Sequence, residues 1–164
     1  MNSNKITIKT GEVAELRWAV IEDAHDIAVM ELESATYENR EEPIVISVED
    51  FTRYWQWRLH SNECPTVVVR GEKMLMGFLS FEKNIKDGFI MALYINPVYM
   101  RMGVGTILVG TAENLVRSQH GKGLYVDVEI RNLNGLSFYK KLGFVEDGMA
   151  SYHLIKMYKE VNDA

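Results

Sequence analysis

Residues 96–106, Asn-Pro-Val-Tyr-Met-Arg-Met-Gly-Val-Gly-Thr, have the makings of an anion-binding turn. An apolar run ends at Ile95, a helical pattern begins at Ile107, and Gly103 and Gly105 stand between them. The first turn of a helix offers N–H groups without intrahelical acceptors and the positive end of the helix dipole, and glycine lets a diphosphate close on those donors. Arg101 adds a cation. Two common phosphate loops are excluded. No Gly-Lys-Ser/Thr follows, as a Walker loop requires, and the third glycine of a dinucleotide fingerprint is missing. On its own, Gly-x-Gly before a helix leaves a plain tight turn equally open.

A second group of residues has acid–base chemistry. Residues 124–130 alternate, with Val126, Val128 and Ile130 on one face and Tyr125, Asp127 and Glu129 on the other. A carboxylate on a central strand is costly to bury unless it is paired or used, so Asp127 and Glu129 are candidate bases. Glu33 and His153 compete with them, although a solvated or structural role is the more ordinary one for each. Cys64, the lone cysteine, excludes an internal disulfide and a cysteine zinc cluster; before Pro65 it reads as a small half-buried side chain.

The elements that must position these residues follow from periodicity. Residues 12–19 read as a first strand, and Ala24, Ile27, Ala28, Leu32 and Ala35 as a helix over 21–35. Residues 36–46, with Glu38, Glu41, Glu42 and Pro43, read as a loop. Ser47 and Asp50 form a capping box for a second helix, with Val48, Phe51, Trp55 and Leu59 on one face and Tyr54 and Trp57 off it. Residues 66–69, 74–81 and 89–95 make a three-stranded meander. A helix over 107–116, the strand 124–130, a short helix over 134–142 and a last strand over 152–158 complete an α/β chain with a mixed sheet. Order is expected from about Val13 onward.

Composition narrows the function classes. Of the 164 residues 47% are apolar and 25% charged, ordinary for one globular domain over 1–164. Eighteen basic against 23 acidic residues give a net charge of −5 and disfavour nucleic acid as partner. No run is long and apolar enough for a membrane span, and the polar first dozen residues lack a signal peptide's apolar core. The expected setting is the cytoplasm. A homodimer stays open.

Residues 100–105 and a second block, Asn132, Gly135, Phe138, Tyr139, Lys141, Gly143 and Phe144, together resemble the GNAT N-acetyltransferases. Their acyl-CoA loop, Gln/Arg-x-x-Gly-x-Gly/Ala, matches residues 100–105 except at Met100. Their later Asn-x-x-Ala-x-x-Phe-Tyr-x-Lys-x-Gly-Phe block matches residues 132–144 except that Gly135 replaces alanine. The resemblance spans about 13–158. It implies the GNAT fold, a mixed central sheet of about six to seven strands splayed between strands 4 and 5, with about four flanking helices.

It also implies roles. Backbone groups of Leu93, Tyr94 and Ile95 would pair with the pantetheine arm like an added strand. The amides of Arg101, Met102, Gly103, Val104, Gly105 and Thr106 would take the pyrophosphate of acetyl-CoA, with Asn132 on the far side of the arm. Tyr139 falls at the family's general-acid position, and Asp127 stands five residues before Asn132, where ribosomal-protein alanine acetyltransferases have a glutamate base. The implied activity is acetyl transfer to a primary amine without a metal. The alternative is an acyl-CoA-binding regulator without catalysis. A small polyamine-like amine and a peptide amino terminus both suit the acidic 38–42 segment, in a pocket walled by Tyr37, Tyr54, Trp55 or Trp57.

Overall fold

The computed structural model describes residues 1–37, 45–82 and 87–161. The side chains of residues 35–37 lie outside that description. The expected helices and strands form, with shifted ends, and two further strands join them. The strands are β1 (Asn4–Thr7), β2 (Val13–Trp18), β3 (Thr66–Arg70), β4 (Leu75–Phe81), β5 (Gly88–Ile95), β6 (Gly123–Glu129), β7 (Val145–Met149) and β8 (Leu154–Glu160). The helices are α1 (Ala24–Tyr37), α2 (Val48–Ser61), α3 (Val104–Ser118) and α4 (Leu133–Lys141). Hydrogen bonding orders the strands β1-β2-β3-β4-β5-β6-β8-β7. The sheet is mixed as expected, but it has eight strands where about six to seven were expected.

The two unforeseen strands lack the signal that periodicity reads. β1 lies within the first dozen residues, expected to precede the ordered chain. It pairs antiparallel with β2, Asn4 opposite Leu16 and Thr7 opposite Val13, and only Ile6 of its four residues is partly buried. β7, Val-Glu-Asp-Gly-Met, is exposed along its whole length and is held by an irregular antiparallel register to β8. A strand with no buried face shows no alternation.

Two compact units divide the chain: residues 1–83 with 92–108, and residues 84–91 with 109–164. In the first unit, α1 and α2 cover β3 and β4. Their core gathers Ala24, Ile27, Ala28, Met30, Trp55, Val68, Leu75 and Phe78. Trp55 meets Phe78 edge to face at 5.5 Å, and its indole N–H donates to Glu31 at 3.0 Å, which satisfies the polar end of a fully buried ring. Ser47 caps α2 as expected, accepting the Asp50 N–H at 3.0 Å. A partly buried ion network centred on Asp23 ties β2 and β3 to the entry of α1. Arg17 grips Asp23 at 2.7 and 3.1 Å, Arg70 approaches Asp23 at 3.3 Å and Asp26 at 2.7 Å, and the Val20 N–H bonds Asp23 at 2.9 Å.

In the second unit, β6 pairs in parallel with β5 through Gly88, Ile90 and the Phe89 between them, opposite Leu124, Val126 and Tyr125. Residues 91–95 of β5 lie outside that ladder. On its other edge β6 pairs antiparallel with β8 over its full length, from Gly123 opposite Glu160 to Glu129 opposite Leu154. Val126 and Val128 are buried, as the alternation predicts, with Leu136, Tyr139, Phe144, Ile155 and Met157.

Candidate active site

The loop is built from backbone bonds. The Asn96 N–H donates to the Met76 carbonyl at 2.9 Å, and Asn96 Oδ1 accepts the Val98 N–H at 3.1 Å. Pro97 opens a single 3₁₀ turn, Pro97–Tyr99, where its missing N–H costs nothing. Arg101 then adopts φ 63° and Gly103 φ 90°, and these two left-handed residues swing the chain into α3. The helical ladder begins with the Ile107 N–H to the Gly103 carbonyl at 3.0 Å, so the amides of Val104, Gly105 and Thr106 have no intrahelical acceptor.

Within the protein a Cβ at 103 would meet only the Lys9 stem at 3.7 Å, so no protein clash requires glycine there. The positive φ is a second reason for glycine, beside the close ligand approach expected of it. Met100, the departure from the family pattern, is half exposed. The loop keeps its shape without a polar side chain there, through the Met100 N–H to Pro97 and the Met102 N–H to Tyr99, both at 3.3 Å. Buried Tyr99 donates to Glu12 Oε1 at 3.3 Å, and burial together with the neighbouring Glu12 charge pushes its phenol above the ordinary range, keeping it a neutral donor.

Leu93, Tyr94 and Ile95 precede this loop. Because the Asn96 N–H faces β4, strand alternation turns the backbone groups of Tyr94 toward β4 and those of Leu93 and Ile95 away from it. The Tyr94 ring packs on Phe78 at 5.4 Å. First-turn amides, a left-handed glycine and exposed Arg101 together form a donor set suited to a diphosphate.

In the second unit, Asp127 stands opposite Lys156 in the β6–β8 register. Its Oδ1 is buried and has no hydrogen-bond partner among the described residues. Such an oxygen calls for a proton, a water or a ligand. Glu129 and His153, two of its competitors, instead face each other at 3.6 Å with both side chains well exposed. Tyr139 is buried edge to face between Phe138 and Phe144, each centroid 5.2 Å away. Asn132 caps α4, its Oδ1 accepting the Gly135 N–H at 2.8 Å, which leaves its amide as the free end. A Cβ on residue 135 would lie 2.7 Å from Asn132 Nδ2. Gly135, where the family has alanine, leaves room for the Asn132 side chain in this position; a methyl there would ask the side chain to shift.

Among the residues expected to wall an acceptor pocket, Trp55 is fully buried in the core and unavailable, while Tyr54 and Trp57 are exposed. The Tyr37 side chain and Glu38, Glu41, Glu42 and Pro43 lie outside the described residues. Glu33 lines an open cleft of about 180 Å³ with His25, Asp26, Lys73, Met74 and Asn96. Among the described residues no three His, Cys, Asp or Glu gather as a metal site, and no helix is long and apolar enough to cross a membrane. Periodicity gave no sign of the Asn132 cap or of the Glu129–His153 pair.

The acetyltransferase (GNAT) family model matches residues 27–144. A curated relative, an N-alpha-acetyltransferase of Sulfurisphaera tokodaii, is 29% identical over 63 residues, and the match covers 38% of this chain and 38% of that protein. The PaiA N-acetyltransferase of Thermoplasma acidophilum, solved with coenzyme A, superposes with a TM-score of 0.73 at 22% identity, over 90% of this chain and 98% of that one. YncA of Salmonella typhimurium, solved with its cofactor acetyl-CoA, superposes with a TM-score of 0.71 at 14% identity, over 92% of this chain and 95% of that one. At these identities the structural likeness is one of fold.

Proposed function

The chain belongs to the GNAT acetyltransferase family, and from that premise we propose that residues 1–164 act as one domain moving an acetyl group from acetyl-CoA directly to a primary amine. The observation that carries this reading is the loop: Gly103 at φ 90° opening α3, with the amides of Val104, Gly105 and Thr106 free to receive a diphosphate. Structural relatives solved with coenzyme A and acetyl-CoA support the same ligand for this fold.

Bound acetyl-CoA supplies a thioester carbonyl for attack and a thiolate as leaving group. The residues of this chain do the rest. Leu93 and Ile95 hold the pantetheine arm with the backbone groups turned away from β4, and the loop amides and Arg101 hold the diphosphate. The Leu93 N–H, on that same edge, is the donor suited to charge developing on the carbonyl oxygen. Asp127 Oδ1 takes the proton from the amine, directly or through one water, and its lack of a partner among the described residues supports that role. Tyr139 Oη returns a proton to the thiolate, as its place in the family motif implies. Asn132 contributes through its amide end, since its oxygen caps α4.

The acceptor is read as a small polyamine-like amine or a peptide amino terminus. The name of the curated relative, an N-alpha-acetyltransferase, supports keeping amino termini in the set. The test is thiol release from acetyl-CoA against a panel of polyamines, amino acids and peptides with varied first residues. Release with at least one acceptor class is expected. Saturable CoA binding with no release from any of them would turn the reading to a non-catalytic acyl-CoA-binding regulator.

A further inference from the structure

We infer that Lys9, in the turn between β1 and β2, is a further cofactor-binding residue whose ammonium neutralises the diphosphate at the Gly103 loop. The inference rests on the reading of that loop as the CoA diphosphate site. The turn is closed by the Gly11 N–H to the Ile8 carbonyl at 2.9 Å and the Ile8 N–H to the Glu12 carbonyl at 3.0 Å, with Gly11 at φ 84°. It is fastened to the loop at two points. The Lys9 N–H donates to the Met102 carbonyl at 3.2 Å, and Glu12 accepts from Tyr99 at 3.3 Å.

The Lys9 stem runs alongside Gly103. From the point where a Cβ of residue 103 would sit, Lys9 Cγ and Cε are each 3.7 Å away and Cδ 4.0 Å. The ammonium, one bond beyond Cε, is thereby within reach of the residue whose carbonyl opens α3. Lys9 is exposed, and among the described residues no carboxylate pairs with it, so its charge is available to a ligand. The need for that charge is plain. The chain is net acidic at −5, and Met100 brings no polar group to the loop where relatives have Gln or Arg. A second cation beside Arg101 restores local positive potential for an anionic ligand.

The backbone attachment makes the test clean, because Lys9→Met removes the ammonium and leaves the N–H bond to Met102. Calorimetric titration with CoA and with 3′-dephospho-CoA should show both ligands weakened about five-fold by Lys9→Met, the size of an exposed ion pair of about 1 kcal/mol. The deficit should shrink as sodium chloride rises, and Lys9→Arg should restore binding. Equal affinities of wild type and Lys9→Met at low salt would overturn the inference. So would a loss confined to CoA and absent with 3′-dephospho-CoA, since the charge would then serve the 3′-phosphate. A wild-type protein that binds neither ligand would instead sink the loop reading itself, and this inference with it.

Discussion

Gly103→Ala tests what this glycine contributes to the fold and to the diphosphate site. A methyl at 103 enters open contact, its nearest neighbours being Lys9 Cγ and Cε at 3.7 Å, so no clash contributes. The cost comes from φ 90°, where an L residue is disfavoured by about 1–2 kcal/mol. A stiffer unfolded chain offsets about 0.4–1 kcal/mol of that. The ligand-free protein should therefore lose only about 0.5–1 kcal/mol, a fall in Tm of about 1–4 °C. Binding should suffer more, because relief of the strain rotates the amides that open α3. With CoA at 100 times the wild-type Kd, the wild-type protein gains about 2.7 kcal/mol. A tenfold loss of affinity cuts that gain to about 1.4 kcal/mol at the same CoA concentration. Thermal unfolding of both proteins with and without CoA measures the two quantities together. An undiminished CoA shift in Gly103→Ala would refute the argument that loop conformation makes the diphosphate site.

Three further outcomes follow from named contacts. Tyr139→Phe keeps the ring between Phe138 and Phe144, and kcat should fall tenfold or more, about 1.4 kcal/mol, with KM for acetyl-CoA little changed; steady-state kinetics that leave kcat intact would return Tyr139 to a packing role. Asp127→Asn should lower kcat/KM most at neutral pH and recover part of the loss in alkaline buffer, where more of the amine is already neutral; a uniform loss across the pH profile would indicate positioning without proton transfer. Asp23→Ala removes the carboxylate that Arg17 and Arg70 share, leaving Arg17 with Glu15 at 3.2 Å and the Trp18 carbonyl at 3.0 Å, and should cost about 2 kcal/mol in a denaturant titration. Burial works to raise the Asp23 pKa, but the Arg17 and Val20 hydrogen bonds and the two arginine charges win and hold it below the usual carboxylate value. A depressed folded pKa means the contribution is complete above about pH 4 and is lost as pH falls through the folded value. The wild-type stability advantage over Asp23→Ala should accordingly vanish in acid, and an advantage that persisted there would contradict the ion-pair account.

The sequence by itself determined much of this protein, because its strongest signals are local. Apolar β-rich runs over β3 to β5, the alternation of β6 and the 3.6-period stripes of α1 to α3 record what is buried, and the α2 stripe correctly separated Trp55 from Tyr54 and Trp57. The loop at 100–105 and the block at 132–144 carried the family, since a helix entry for phosphate and a helix packed on a strand are each specified within a few residues. What only the tertiary structure decided depends on residues distant in sequence. β1 and β7 exist because β2 and β8 offer them an edge, and with hardly a buried side chain between them they left no pattern to read. The approach of Lys9 to Gly103 spans more than 90 positions and is made by the Lys9 bond to Met102 and the Tyr99 bond to Glu12, which no spacing rule encodes. Asp127 and Glu129 look alike on an alternating strand. They part only when His153 is brought to Glu129 and Asp127 Oδ1 is left buried with no partner among the described residues, because local pattern sets which face a side chain takes, while its neighbours across the sheet set what it can do.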